Sequence, residues 1–374
     1  MSLSFTSLVR LIGMLAIATT ILAVGVSRLE SPKATQREMS VPNLMNINEY
    51  FLGFKDRKTR WLDTESGAIS VVLLEGDDLF EGASCSPWTD ENGGRQIVGR
   101  WTSRTAQGAG SMSCDFGLAR YSFPGGKLLD QVSTDVVPVG PPCWYPGTHA
   151  RILFEAGDGR LYRYAFESEP GLRGGQGHAL GLGDSRPTPL SWLCEKPGQA
   201  DVFMSDLSWP RDSRLEGRLV VSMRVQIEGA DGKLNYTRNR LWWIRLDRTG
   251  TEIVEAGPLT LHEEEVGDAG EYEERGGSIS TLPDGRLVLA YLRKDVIKKE
   301  GWELRVIPIR FDEDGHTPGA LPADARILAS SCQSFHPSFS LDGRWISVLV
   351  GRGPELSRVA RVPIDESLLA SARP

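Results

Sequence analysis

The chain is poor in the residues that most enzyme signatures need. Five histidines and five cysteines are spread over 374 residues. His149, His178, His262, His316 and His336 fall in no H-x-H, H-E-x-x-H or H-x-x-E-H pattern, so the usual zinc-hydrolase helix is excluded. Cys85, Cys114, Cys143, Cys194 and Cys332 form no C-x-x-C pair, which excludes a zinc ribbon and a thioredoxin-like motif. Their expected role is structural, buried or singly paired, with one left over by the odd count. There is no G-x-S-x-G elbow, no P-loop and no G-x-G-x-x-G. The glycine-rich stretch 171–186 separates no strand from a helix and reads as an inserted loop. An excess of positive charge is also missing. Lys+Arg 42 against Asp+Glu 49 gives −7, which argues against nucleic acid as a partner.

Long uncharged runs are missing too, with one exception. Leu11 to Ser27, "LIGMLAIATTILAVGVS", carries no charge. It is near the lower limit for a spanning helix and longer than the apolar part of a secretory signal. Its end, "AVGVSR", is a poor cleavage site. We expect residues 1–28 to be a signal anchor, or failing that a cleaved signal peptide, placing the rest in the cell envelope on the periplasmic or extracytoplasmic side. Residues 29–44 read as a polar tether, 45–366 as the folded body and 367–374 as a tail.

The body has few helical patterns but many short β-branched and aromatic runs between Gly, Asp, Asn and Pro clusters, and these runs predict antiparallel strands. They also repeat. "SFSLDGRWISVLVGR" (338–352) and "SISTLPDGRLVLAYLRK" (278–294) share small polar residues, an Asp-Gly turn, an arginine and a strand. "LSWPRDSRLEGRLVVSMRV" (207–225), "CWYPGTHARILFEAG" (143–157) and "SPWTDENGGRQIVGRW" (86–101) follow the same plan. Trp88, Trp144, Trp209, Leu282 or Phe339 precedes each turn, and Arg95, Arg151, Arg218, Arg286 or Arg344 opens the next strand. A truncated copy fits 50–74. Second strands are therefore expected to start near Tyr50, Gln96, Arg151, Arg218, Arg286 and Trp345. A unit of this size carries four strands and buries both faces only between neighbours, as in a propeller blade. The expected fold is all-β, a β-propeller of six blades within a range of five to seven, behind one N-terminal hydrophobic helix. Val41 to Asn48 is expected to pair with the last unit and close the circle.

The segments "F-S-L-D-G-R-W-I-S-V" and "L-P-D-G-R-L-V-L-A-Y" resemble the S-P-D-G-[KR]-x-[IL]-[AV] core of TolB-like, or WD-repeat-like, β-propellers. The resemblance is sharp at 281–291 and 339–348 and looser elsewhere, with no Asp-Gly at 146–149. It implies a propeller, and such propellers serve as periplasmic binding scaffolds and as parts of peptidases, so it does not fix an activity.

Four groups carry candidate chemistry. His336 lies outside the repeat core and is of the type used as a base or metal ligand. Arg240 and Trp242, in "YTRNRLWWIRLDR", suit a carbohydrate or an anion. Alternation along a strand sets Trp242 and Trp243 on opposite faces, where packing between blades explains them equally well. Glu263, Glu264 and Glu265 open an acidic stretch (261–275) that reads as a solvated loop, with oxygen ligands for calcium or a surface for a basic partner. Asp90, Asp206 and Asp284 stand near blade entrances, where a carboxylate-based hydrolase would place its acids and where turns also demand Asp. The reading of the whole is a membrane-tethered, monomeric, non-catalytic binding module for a protein or small polar ligand, with no required cofactor. The alternative is a propeller hydrolase, a glycosidase or lactonase, using funnel carboxylates with or without calcium. Two acids converging in the funnel would favour that alternative.

Overall fold

A computed structural model describes residues 44–46, 58–75, 79–89, 93–103, 116–146, 149–166, 188–189, 191–192, 202–228, 234–236, 238–247, 250, 252–261, 272–296, 301–313, 315–333, 336–351 and 358–364. The expected N-terminal helix, the tether, the glycine-rich stretch and the C-terminal tail lie outside them. Among the described residues there is no α-helix, and none that is long and apolar enough to cross a membrane.

The strands run in successive antiparallel meanders. β1 (Leu44–Asn46), β2 (Thr59–Asp63) and β3 (Ile69–Val72) form the first. The second is β4 (Leu79–Cys85), β5 (Arg95–Thr102), β6 (Phe116–Phe123) and β7 (Leu128–Ser133). The third is β8 (Pro138–Trp144), β9 (Arg151–Ala156), β10 (Leu161–Ala165) and β11 (Thr188–Pro189). In the fourth, β12 (Ser191–Trp192) lies parallel outside β13 (Val202–Ser208), β14 (Arg218–Glu228), β16 (Arg240–Leu246) and β17 (Glu252–Pro258), while β15 (Leu234–Tyr236) pairs with the end of β14. The fifth is β18 (Tyr272–Thr281), β19 (Leu287–Asp295), β20 (Trp302–Pro308) and, beyond the small β21 (Arg310–Phe311) and β22 (Pro318–Gly319) pair, β23 (Arg326–Cys332). β24 (Ser338–Phe339), β25 (Trp345–Val350) and β26 (Arg358–Pro363) form the last, joined to β23 through the Cys332–Val350 pair.

Five of the six expected second strands are where the repeat puts them: β5, β9, β14, β19 and β25 open at Arg95, Arg151, Arg218, Leu287 and Trp345. Tyr50 lies outside the described residues, and the second strand of the first meander opens at Thr59. The turns use the predicted chemistry. Asp284 and Asp342 each accept the backbone N–H two residues on, from Arg286 and Arg344, at 3.0 Å. Gly285 and Gly343 supply the positive φ that follows (84° and 69°). Local sequence therefore suffices to make these hairpins.

The core lies between meanders rather than within them. Trp61 and Val72 pack with Phe80 and Ile97, joining first to second. Leu118 packs with Trp144 and Ile152, joining second to third. Leu153 packs with Leu219 and Ile244, and Val220 with Ile279 and Leu289. Val288 packs with Phe339 and Ile346. Leu349 and Val359 then meet Met45 and Leu62, so the last meander rests on the first. Trp242 faces the third–fourth cluster and Trp243 the fourth–fifth, on opposite sides of one strand as alternation requires. The first strands of successive meanders lie side by side, β1 by β4, β4 by β8, β8 by β13, β13 by β18 and β18 by β24. Nearly all-β antiparallel sheets packed in this order are consistent with a β-propeller.

Two expectations are corrected. Leu44–Asn46 does not pair with the last unit: it pairs with β2 (Leu44 opposite Asp63), and the last meander meets the first by apolar packing instead. The acidic stretch is not solvated throughout, because Tyr272–Arg275 begins β18. Glu274 is fully buried there and accepts a 2.6 Å hydrogen bond from Thr260 Oγ1. A strand facing a neighbouring sheet cannot leave that carboxylate in water, so a hydroxyl serves it.

Candidate functional site

The first strands of the second to fifth meanders are interrupted at a comparable point. The register of β4 shifts between Glu81 and Ser84, of β8 between Val139 and Cys143, of β13 between Ser205 and Ser208, and of β18 between Arg275 and Ser278. A residue with positive φ sits in each break: Gly82 (55°), Gly140 (70°), Asp206 (56°) and Gly276 (64°). In the last meander the partner of β25 jumps from Cys332 to Ser338, and His336 stands in that gap. Such bulges re-aim side chains. Three of the four positive-φ positions are glycine, which adopts this backbone freely. At the fourth the chain keeps an aspartate at a cost on the order of 1–3 kcal/mol.

The bulges bring together residues from four meanders. Asp206 Oδ2 accepts a 3.1 Å hydrogen bond from Arg275 Nε, and Ser205 Oγ lies 3.4 Å from the same oxygen. His336 Nε2 stands 3.7 Å from Asp206 Oδ1. Glu155, on β9 opposite Val139, reaches the Gly140 bulge, where an added Cβ would lie 3.8 Å from Glu155 Oε2. A Cβ on Gly276 would lie 3.1 Å from the His336 Cα, so this glycine lets His336 approach. The N–H of Gly276 donates to the fully buried Ser222 hydroxyl at 3.1 Å, which fixes the backbone beside Arg275.

The two acids of this cluster differ in environment. Burial first, and then the negative charge of Asp206, push Glu155 up from 4.5 to about 8, against the pull of Arg275 and Arg224. Its carboxyl is therefore protonated at neutral pH beside a carboxylate that is tied to an arginine. Burial also lowers His336, outweighing the attraction of Asp206, and Arg275 pushes the same way. With its proton affinity lowered and 3.7 Å between the atoms, the imidazole is a polar neighbour of Asp206 rather than an ion-pair partner.

The other sequence candidates fall elsewhere. Arg240 Nη1 donates to the Asn239 carbonyl at 3.3 Å and to the Tyr272 carbonyl, bridging β16 to the start of β18. Trp242 is half-buried against the third–fourth cluster. Asp284 is held in its turn by Arg286. His149 lies past the end of β8, its Nε2 2.8 Å from Ser86 Oγ and its ring between Trp88 and Trp144. Glu263, Glu264, Glu265 and Asp90 lie outside the described residues. Among the described residues no group of three or more His, Cys, Asp or Glu is spaced to hold a metal. Cys85, Cys143 and Cys332 are free, and burial pushes the thiols of Cys85 and Cys143 up to about 12 and that of Cys332 to about 11. Such thiols are inert. Sequence reasoning missed Glu155, Arg275 and Ser222. The signal for Glu155 was present: a lone carboxylate in the apolar run "ILFEA".

No family model matches the chain, and no curated protein does. Among solved structures it is similar to TolB from Acinetobacter baumannii, with 11% identity and a TM-score of 0.42 over 82% of this chain and 60% of that one. It is also similar to an α-L-arabinofuranosidase from Lactobacillus brevis (13%, 0.38, 70% and 85%). A third likeness is to MPT-4, a mannose phosphorylase from Leishmania mexicana (13%, 0.36, 79% and 86%). At these values the likenesses do not bear on chemistry.

Proposed function

We propose that the chain is a β-propeller of six blades whose central funnel binds a polar ligand at the level of the strand bulges. The observation that carries this reading is the convergence of Glu155, Asp206, Arg275 and His336 from four successive meanders, with Asp206 kept where the bulges of β4, β8 and β18 have glycine. Residues held in strained backbone cluster at functional sites. The six inter-sheet clusters, the last returning to the first, support the blade count. The apolar run at Leu11 to Ser27 supports export with a membrane tether and an envelope location. We read the protein as a monomer acting by binding, with a protein or small polar ligand as partner and no cofactor required.

A specific observation also favours hydrolysis as the second reading. A protonated Glu155 beside the Asp206 carboxylate is the pairing that general acid and base work needs, and the funnel brings together the two acids expected of a hydrolase. The first test is a thermal-shift screen of soluble glycans and peptides against wild type and Asp206→Gly. Glycine suits the bulge, so the variant folds. Ligands that raise the wild-type Tm by a few degrees and leave Asp206→Gly unmoved bear the reading out. Equal shifts in both proteins overturn the funnel as the site. Turnover of chromogenic glycosides, lost in Glu155→Gln, replaces binding by hydrolysis.

A further inference from the structure

The funnel cluster contains an arginine that is only partly used. Asp206 engages Arg275 through Nε, and it is the one hydrogen-bonding partner of that guanidinium among the described residues. The side chain keeps 30% of its surface exposed. Arg275 is thus held through Nε, and its two terminal amines make no hydrogen bond to a described residue. The backbone next to it is fixed by the Gly276–Ser222 hydrogen bond. A guanidinium held in this way is a prepared receptor for a planar oxyanion, which it meets with two parallel N–H donors.

We propose that the ligand of this site carries a monoanionic carboxylate, received by the terminal amines of Arg275. The inference rests on the funnel being the binding site and goes further by naming what binds there. Charge narrows the choice. Arg275 and Arg224 both act on Glu155, and Asp206 already places one negative charge on the Arg275 guanidinium. A phosphate dianion would bring its second charge against Asp206, which sits on the same arginine. An uncharged sugar would leave the two amines solvated and gain little from them. His336, with 24% of its side chain exposed, adds a donor or acceptor for a hydroxyl of the same ligand.

The probes are glucuronate, a sugar acid; N-acetylglycine, a peptide-like carboxylate; glucose; and inorganic phosphate, each titrated calorimetrically into the full chain in about 0.1 M salt. We expect glucuronate, N-acetylglycine or both to bind at least tenfold more tightly than glucose and phosphate; which of the two is tighter separates a sugar-borne from a peptide-borne carboxylate. Arg275→Gln and Arg275→Lys should each weaken that binding about tenfold or more. The lysine variant keeps the charge and the contact with Asp206 but loses the fork, so a loss there is not explained by misfolding; both variants should unfold within a few degrees of wild type. Failure of both carboxylates, equal binding of phosphate, or unchanged affinity in Arg275→Lys overturns the proposal. Glucose binding as tightly as glucuronate, with both lost in Asp206→Gly, overturns the carboxylate while leaving the funnel as the site.

Discussion

Two kinds of aspartate–arginine pair, one at the turns and one at the bulges, differ in sequence separation. At the turns that end the first strands, Asp212, Asp284 and Asp342 each pair with an arginine two residues on, Arg214, Arg286 and Arg344. At the bulges, Asp206 pairs with Arg275, in the next meander and 69 residues away. The local pairs shape hairpins: backbone and guanidinium bonds from Arg214 hold Asp212 well below the usual carboxylate range, and Thr281 adds a 2.5 Å hydroxyl bond. The distant pair shapes no turn. It joins two neighbouring sheets, and its aspartate occupies a backbone position where glycine would serve the fold better. The same two residue types are structural when close in sequence and candidates for a site when the fold alone brings them together.

The largest effect should come from breaking the local region. Gly343 has φ of 69°, and a Cβ there would stand 2.5 Å from the Thr281 carbonyl of the preceding sheet. Gly343→Val adds a strained backbone to a clash with main chain that cannot move away cheaply. We expect a loss of about 3 kcal/mol in urea unfolding. A loss under about 1 kcal/mol would mean that the last turn is not packed as tightly as this contact implies.

This contrast also explains what was legible in the sequence. The hairpins, their Asp-Gly turns and the second strands could be read because each is settled within a few residues. The opposed facing of Trp242 and Trp243 followed from alternation alone. The partner of β1 could not be read, since three residues, Leu44–Asn46, fit either neighbour and only the packing of Met45 and Leu62 on Leu349 decides. The site was half legible. Asp206 and His336 drew notice as polar residues beside the repeat core. Arg275 is hidden at the end of an acidic stretch, and Ser222 inside an apolar strand. Their roles depend on which sheet lies next in the ring, which no local pattern encodes.

A smaller effect, with a sign that separates the two regions, is expected at Glu155. Its carboxyl is raised from 4.5 to about 8, so the unfolded chain releases the proton near pH 4.5 while the folded chain holds it. The contribution to stability is fully present below pH 4.5 and is lost as pH rises through 8. Glu155→Gln removes that loss. The variant should match wild type at pH 4.5 and exceed it at pH 9 by at least about 1 kcal/mol, or about 2–4 °C in Tm. The turn aspartates are shifted the opposite way, so removing one can only destabilise near neutral pH. Equal stability of Glu155→Gln and wild type at pH 9 would show Glu155 to be solvated and the site open to water.

The smallest effect is expected from Asp284→Ala. The pair with Arg286 is short, at 2.6 Å, but a third or more of each side chain is exposed (34% and 37%). Desolvation of Asp284 is outweighed by the Arg286 backbone N–H and guanidinium, which together hold the carboxyl below its ordinary value. An exposed pair of this kind contributes about 0.5 kcal/mol, and Gly285, which needs no side chain to keep its φ of 84°, still makes the turn. Unfolding at pH 7 should therefore shift by no more than about 1 kcal/mol, and ligand binding at the funnel should not change. The comparison is sharpest here, because Asp206→Gly should do the reverse: leave stability nearly unchanged, as relief of backbone strain offsets the lost Arg275 bond, and abolish binding. If Asp284→Ala weakened binding as much as Asp206→Gly, sequence separation would not distinguish the structural pairs from the site, and the turns and the bulges would have to belong to one continuous surface.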